Sequence, residues 1–289
     1  MAAEPAVPFT IGRARRRRVP RRGQWVTVTA VTVLALIALL CLIGPLFAED
    51  PTALDNANRF TGIGSGSLFG TDELGRDRFA RMLEGGRISL AIAGGATVVS
   101  MLVGALWGFG AALGRGLLDD VLMRTADVAM AIPQLLFALV FVAAFGATTA
   151  GLALIIGLLL TPVTARMIRS AVLGELQADY SQAAVAYGAT RWRLVRRELL
   201  PNISAPLGVQ AAINAANAII LEAALSFVGL GVQPPEASWG TLLQQGYQKM
   251  YQSTTGVIVP AVAIFLTIWM LNLLADQLGG NEDLRGRTG

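Results

Sequence analysis

Six stretches of this chain stay apolar for about twenty residues or more, and no other feature narrows its fold so far. They fall at 26–47, 88–112, 122–145, 149–168, 205–230 and 256–275. A helix of about 20 apolar residues matches the hydrocarbon thickness of a bilayer. Inside lipid, only helices and closed barrels satisfy their own backbone groups. The sequence therefore predicts an all-α membrane protein with six transmembrane helices. A charged fraction of only 15% and a mean hydropathy of +0.58 agree with that class. The first run, VTVTAVTVLALIALLCLIGPLF, is 22 residues long. That exceeds the ~7–15 apolar residues of a secretory leader, so a retained span is expected.

Several chemistries are excluded by what the chain lacks. It has no histidine, so no His-ligated metal site and no Ser-His-Asp triad can form. Its one cysteine, Cys41, permits no internal disulfide. Lys249 is the only lysine and follows Gln248, which rules out a Walker-type phosphate loop. Gly62, Gly64 and Gly66 lack the third glycine and preceding strand of a dinucleotide fingerprint. No pair of aspartates suited to intramembrane proteolysis is visible within the spans. A transport or structural role is expected, not an enzyme.

The basic residues read as topology, not as a nucleic-acid surface. Seven arginines lie between Arg13 and Arg22, directly before the first span. Six spans put both termini on one side. With that side cytoplasmic, the inner segments also hold Arg115, Arg124, Arg166, Arg169, Arg191, Arg193, Arg196, Arg197, Arg285 and Arg287. Only Arg59, Arg76, Arg78, Arg81, Arg87 and Lys249 fall outside. The positive-inside bias predicts cytoplasmic termini and a cytoplasmic segment at 170–204.

Three segments and one stripe are candidates for function. YSQAAVAYGATRWRLVRRELLPN, from Tyr180 to Asn202, is too charged for lipid yet lies between two spans. It reads as two short helices around a bend at Gly188, the second carrying Trp192 among four arginines and ending at Pro201. By its residues it could dock on a protein or lie on lipid headgroups. The segment GTDELGRDRFARMLEGGRISL, from Gly70 to Leu90, interleaves acids and arginines, as a self-paired solvated loop would. GLGVQPPEASWG, at 229–240, cannot be helical through Pro234 and Pro235. Within the fifth span, Gln210, Asn214 and Asn217 fall within roughly 60° of one another on a helix. They line a hydrated pore or bond neighbouring helices. Glu222 and Ser226 lie on another side of that helix.

Two of these segments resemble a known family. Ala183, Ala184, Gly188, Leu200 and Pro201 fit the E-A-A, three residues, G, nine residues, I-x-L-P pattern of ABC importer permeases, with Gln182 in the Glu position and Glu198 in an apolar one. Gly70, Thr71, Asp72, Leu74, Gly75, Arg76, Asp77, Arg81, Gly85, Arg87, Ser89 and Leu90 resemble the longer signature of one dipeptide, oligopeptide and nickel permease subunit. A histidine common just before that signature is missing here. The resemblance runs from about residue 25 to 280 and implies a type I ABC importer permease fold.

It also implies an organisation and a set of partners. Residues 1–24 form a cytoplasmic tail, 25–87 the first span and outer loop, 88–280 a five-helix core, and 281–289 a second cytoplasmic tail. The loop at 180–202 would seat in an ABC ATPase, with Gln182, Ala183, Ala184, Gly188, Trp192, Leu200 and Pro201 as its contact and hinge residues. The chain would form a heterodimer with a sister permease in a bacterial inner membrane. An extracytoplasmic binding protein would deliver cargo: peptide, nickel or another small solute. No cofactor is expected in this chain, ATP and Mg being held by the partner ATPase. A secondary transporter is the other transport class, but no internal repeat supports it.

Overall fold

The computed structural model describes residues 21–286 except 49, 56, 65, 66 and 115, with side chains described from Trp25 to Gly280. The basic tail before Arg21 and the last three residues, both assigned to the cytoplasm from sequence, lie outside the described residues. Helix α1 (Arg21–Ile43) ends in a short 3₁₀ turn at Gly44–Leu46. It is followed by α2 (Arg78–Gly114), α3 (Leu117–Ala131), α4 (Gln134–Phe145) and α5 (Thr149–Leu176). Then come the short α6 (Asp179–Ala186), α7 (Arg191–Arg193) and α8 (Leu200–Asn202), and the longer α9 (Ser204–Phe227), α10 (Trp239–Gln248) and α11 (Thr255–Gly286). Among the described residues there is no β-strand, only an isolated bridge from Thr71 to Asp77.

Five helices, α1, α2, α5, α9 and α11, are long and apolar enough to cross a membrane. The third expected span is not one helix. Its run is split into α3 and α4, which meet at 83°. Pro133 lacks the N–H that would continue α3, and Ile132 before it is extended (φ −81°, ψ 127°). Counted as one crossing, the bent pair completes the six expected spans.

The second span also starts earlier than its apolar run. Asp77 accepts the backbone N–H of Phe79 at 2.9 Å, so α2 is capped ten residues before position 88 and runs for 37 residues. The amphipathic α10 carries no long apolar run by which the sequence would show it. Its start is marked by Ser238 and Thr241, whose side chains each bond the other's backbone N–H.

Small residues let α2 and α5 approach closely. A Cβ on Gly104 would lie 2.7 Å from Thr164, and one on Gly157 would lie 2.6 Å from Val99. Gly94, on the same helix, has nothing within 4 Å of its Cβ position and makes no such close contact. The main core joins Ile92 and Ala96 of α2, Leu152 and Ile156 of α5, and Ile219 and Leu225 of α9. Outward-facing Leu36, Leu39, Leu40 and Leu42 leave α1 an apolar exterior, as lipid contact requires.

Candidate functional site

The loop between α5 and α9 is two helical pieces around Gly188, as its sequence predicted. Helix α6 closes with the N–H of Ala189 on the Ala184 carbonyl and that of Gly188 on the Val185 carbonyl, both at 3.0 Å. This is a Schellman end, and it needs its glycine: Gly188 has φ +81°. Thr190 then caps the next turn, its hydroxyl accepting from the N–H of Arg193 at 3.3 Å.

Pro201 does not end the second piece. The path widens into π-type turns over Leu194–Leu199 and continues through Pro201 to Asn202. Proline crowds the carbonyl four residues back, and a wide turn relieves that crowding. The Asn202 amide donates to the Glu198 carbonyl at 2.7 Å and so helps satisfy the loosened turn.

One face of this loop is buried and the other is bare. Leu194, Leu199 and Ile203 pack against Ala112, Ile168 and Val172. Opposite them, Tyr187 is 93% and Trp192 71% exposed, and Arg191, Arg193, Arg196 and Arg197 are exposed as well. Gln182 and Ala183 are exposed, Ala184 is half-buried, and Leu200 and Pro201 lie at the exposed edge. Exposed aromatics among arginines have the composition of a protein-binding hot spot.

The segment around Gly70 is paired as expected but is not a solvated loop. Asp72 sits at its centre, 9% exposed. Its carboxylate accepts from the N–H groups of Leu74 and Arg76, from Arg76 Nε at 2.7 Å and from Arg81 at 2.7 Å. Burial pushes the Asp72 pKa up, but those N–H donors and the Arg76 charge outweigh it and hold the group below its ordinary value. Gly75 (φ +73°) closes the turn where a Cβ would lie 1.7 Å from the Asp55 carbonyl. Thr71 is bonded to Thr61, and Gly70 accepts from Arg78 N at 3.1 Å. Asp77, expected to pair with arginine, instead accepts from Ser67 Oγ at 2.6 Å and caps α2.

The polar stripe of the fifth span divides. Asn214 is 1% exposed and donates to Ser100 Oγ at 2.8 Å and Thr164 Oγ1 at 2.9 Å, tying α9 to α2 and α5. Gln210 is buried and donates to Asn214 at 2.8 Å. Both bond neighbouring side chains within the bundle, the second of the two roles open to the stripe. Only Asn217 is exposed. The helical wheel gave the common face correctly, but the same face meets packed helices lower down and open surface higher up. Asn214→Asp is accordingly expected to cut the yield of inserted, monodisperse protein in fluorescence-detected size exclusion. A central membrane charge costs about 2.5–3.5 kcal/mol on insertion scales. Asn217→Asp should be tolerated; equal yields from the two variants would refute this assignment.

Glu222, 1% exposed, takes hydrogen bonds from Ser226 Oγ at 2.7 Å and Ser89 Oγ at 3.2 Å. Ser89 also accepts the N–H of Trp239 at 3.0 Å. Glu222 thus pins α2, α9 and the start of α10 together within one chain. The sequence placed Glu222 and Ser226 on one side of the helix but gave no link to Ser89, which carries no such signal until the helices are packed. The segment at 229–240 folds inward, burying Val232, Ala237 and Trp239.

This arrangement of spans and loops defines a membrane transport subunit, and comparison with known proteins makes the class specific. Residues 100–283 match the model of the binding-protein-dependent transport system inner membrane component. The chain belongs to that family: it is a multi-pass permease component of a binding-protein-dependent transport system, not an enzyme. It is 33% identical over 258 residues to the probable D,D-dipeptide transport system permease protein DdpC of Escherichia coli K12, covering 89% of this chain and 87% of the relative. It is 38% identical over 211 residues to the di/tripeptide transport system permease protein DppC of Pseudomonas aeruginosa, covering 73% and 70%. A putative peptide permease protein of Brucella suis is 41% identical over 219 residues, covering 75% and 72%. The fold is that of type I ABC importer permeases. A chain of the inward-facing MetNI methionine ABC transporter superposes with a TM-score of 0.59 at 20% identity, covering 68% of this chain and 94% of that one.

Proposed function

We propose that this chain is a peptide-translocating permease subunit of an ATP-driven importer, working beside a sister permease. The observation that carries the proposal is the loop at 180–202, an arginine and aromatic face presented on a glycine-set bend. It suits a groove on an ABC ATPase, which would hold ATP and Mg. Closure of two ATPases would push on Trp192 and its neighbours, and the buried anchors Leu194 and Leu199 would pass that movement to α5 and α9. Cargo would cross between the two permeases, with Asn217 on the path. A substrate-binding protein would dock on the opposite face, where the Gly70–Asp77 turn is built. The relatives named for peptide transport support the cargo class.

Transport is the direct test. The chain, expressed with its neighbouring genes in a host lacking peptide permeases, should restore uptake of labelled di- or tripeptide. Uptake of nickel or another solute in place of peptide would overturn the cargo class. Topology is tested separately, in a Cys41→Ala background with single new cysteines. Impermeant reagent should label positions near the exposed Asn58 and Glu236 in intact cells but not near Arg193 or Gly289. Labelling of a cysteine at position 193 from outside would invert the assignment of cytoplasmic termini.

A further inference from the structure

The charges at the end of the bundle opposite the 180–202 loop do not balance. A cleft there lies between the start of α2, α10 and the first turns of α11, with about 550 Å³ of empty space including its mouth. Of its acids, Asp72 is shared by Arg76 and Arg81 at 2.7 Å each. Glu73 is taken by Lys249 at 3.1 Å. Arg78 is left with neutral partners, Nη1 donating to Ser253 Oγ and Thr255 Oγ1 at 2.6 Å each, and has no carboxylate within 4.0 Å among the described residues. Four cations and two carboxylates line the cleft. A half-buried guanidinium with donors to spare and no carboxylate in contact, in a cleft with more cations than acids, favours an anion.

The depth of Arg78 and the rest of the cleft wall say which anion. Gly44, near the end of the α1 apolar run, lies against Leu83, which places Leu83 toward the outer end of that span. Arg78 stands five residues nearer the helix start, about 7.5 Å further toward water at 1.5 Å per residue. Its partner Thr255 is the first residue of α11, where that apolar span begins. This is the headgroup layer, which adds about 5–7 Å on each side of the hydrocarbon. Below the guanidinium the wall turns apolar, with Met82, Leu242, Val259 and Pro260. A charged ceiling over an apolar flank at phosphate depth fits a molecule with one anionic group and a hydrocarbon tail.

We propose that this cleft is a binding site for an anionic phospholipid, its phosphate on Arg78 and Lys249 and its glycerol and upper acyl chain along Val259 and Pro260. The lipid supplies the counter-charge that the protein omits and fixes the start of α2 to α11.

The full chain, purified in mild detergent, tests this with phosphatidylglycerol as the probe and inorganic phosphate as the comparator. Phosphatidylglycerol should remain bound through delipidation and raise the melting temperature, whereas phosphate at the same concentration should not. Arg78→Gln should weaken lipid retention about fivefold, the effect of one basic group at a charged membrane surface. Arg87→Gln, on the same helix with a side chain 58% exposed, should leave it unchanged. Equal retention in the Arg78→Gln protein would overturn the site. A melting shift from phosphate as large as that from lipid would make it a free-anion site and overturn the lipid assignment. Should Arg78→Gln not fold, a phosphatidylglycerol carrying a headgroup photo-crosslinker decides the matter on the unaltered chain. Cross-links within residues 76–82 and 242–260 support the proposal; cross-links only elsewhere refute it.

Discussion

Gly188→Val should abolish uptake, by tenfold or more, while the subunit stays in the membrane at near its normal level. A Cβ at position 188 meets nothing within 4 Å, so the defect would not be steric crowding by neighbours. It would come from the backbone: φ is +81°, where an L-residue costs about 1–2 kcal/mol and a β-branched one more. Relief of that strain means unwinding the Schellman end and re-aiming the piece that carries Trp192. Asn, which tolerates left-handed backbone, should retain a good part of the activity that Val loses. Both variants are read by peptide uptake and by ATPase rate in the reconstituted complex, where Val should leave hydrolysis running without transport. Normal uptake by the Val variant would mean that the loop does not couple the two.

Asp72→Ala should have the largest effect on stability. Removing one partner of a mostly buried ion pair leaves an uncompensated charge, typically a loss of about 3–5 kcal/mol. Here Arg81, with a side chain 6% exposed, would be stranded beside Arg76. The outer segment should then open to trypsin between residues 48 and 87, and the melting temperature should fall. Arg81→Met should do less harm, because Asp72 keeps Leu74 N at 2.8 Å, Arg76 N at 3.0 Å and Arg76 Nε at 2.7 Å. A larger loss from Arg81→Met than from Asp72→Ala would reverse this ordering. The carboxylate also makes an acid limit. Its folded pKa is depressed, so its contribution is complete above the ordinary Asp value of about 3.9 and fades as pH falls through the lower folded one.

The sequence carried the architecture further than it carried the contacts. Hydrophobic runs located every span because lipid leaves a helix little choice, and the bend at Gly188 was legible because one residue type sets it. Pro133 was equally visible, yet a single proline within an apolar run can kink a helix or break it, and only the neighbouring helices decide. Asn214 was open between pore and packing for a related reason: polar atoms on a helix face give the direction they point, not whether water or Ser100 and Thr164 wait there. The signature around Asp72 marked a structured turn, while its local charges alone resembled solvated loop. What distinguishes the two is packing against the rest of the fold, where Arg81 also bonds Gln245 of α10, and α10 announces itself only through Ser238 and Thr241. The exposed aromatics of the 180–202 loop were apparent as residues but not as a face until Leu194 and Leu199 were seen to turn the other way.

The unbroken α2 has a mechanical consequence. Its 37 residues make a rod about 55 Å long, against roughly 30 Å of hydrocarbon, so some 25 Å must project or be taken up by tilt. A rod of that length is a lever. Rotating it by about ten degrees, with the fulcrum at the Gly104 and Gly157 crossing, would swing the far end at Arg78 by about 7 Å at the same 1.5 Å rise. The Asp77 cap, the turn around Asp72 and the anchorage to Ser253 and Thr255 all hang from that end. Small displacements deep in the bundle, where α2 meets α5, would thus be magnified at the opposite surface without bending the helix that carries them.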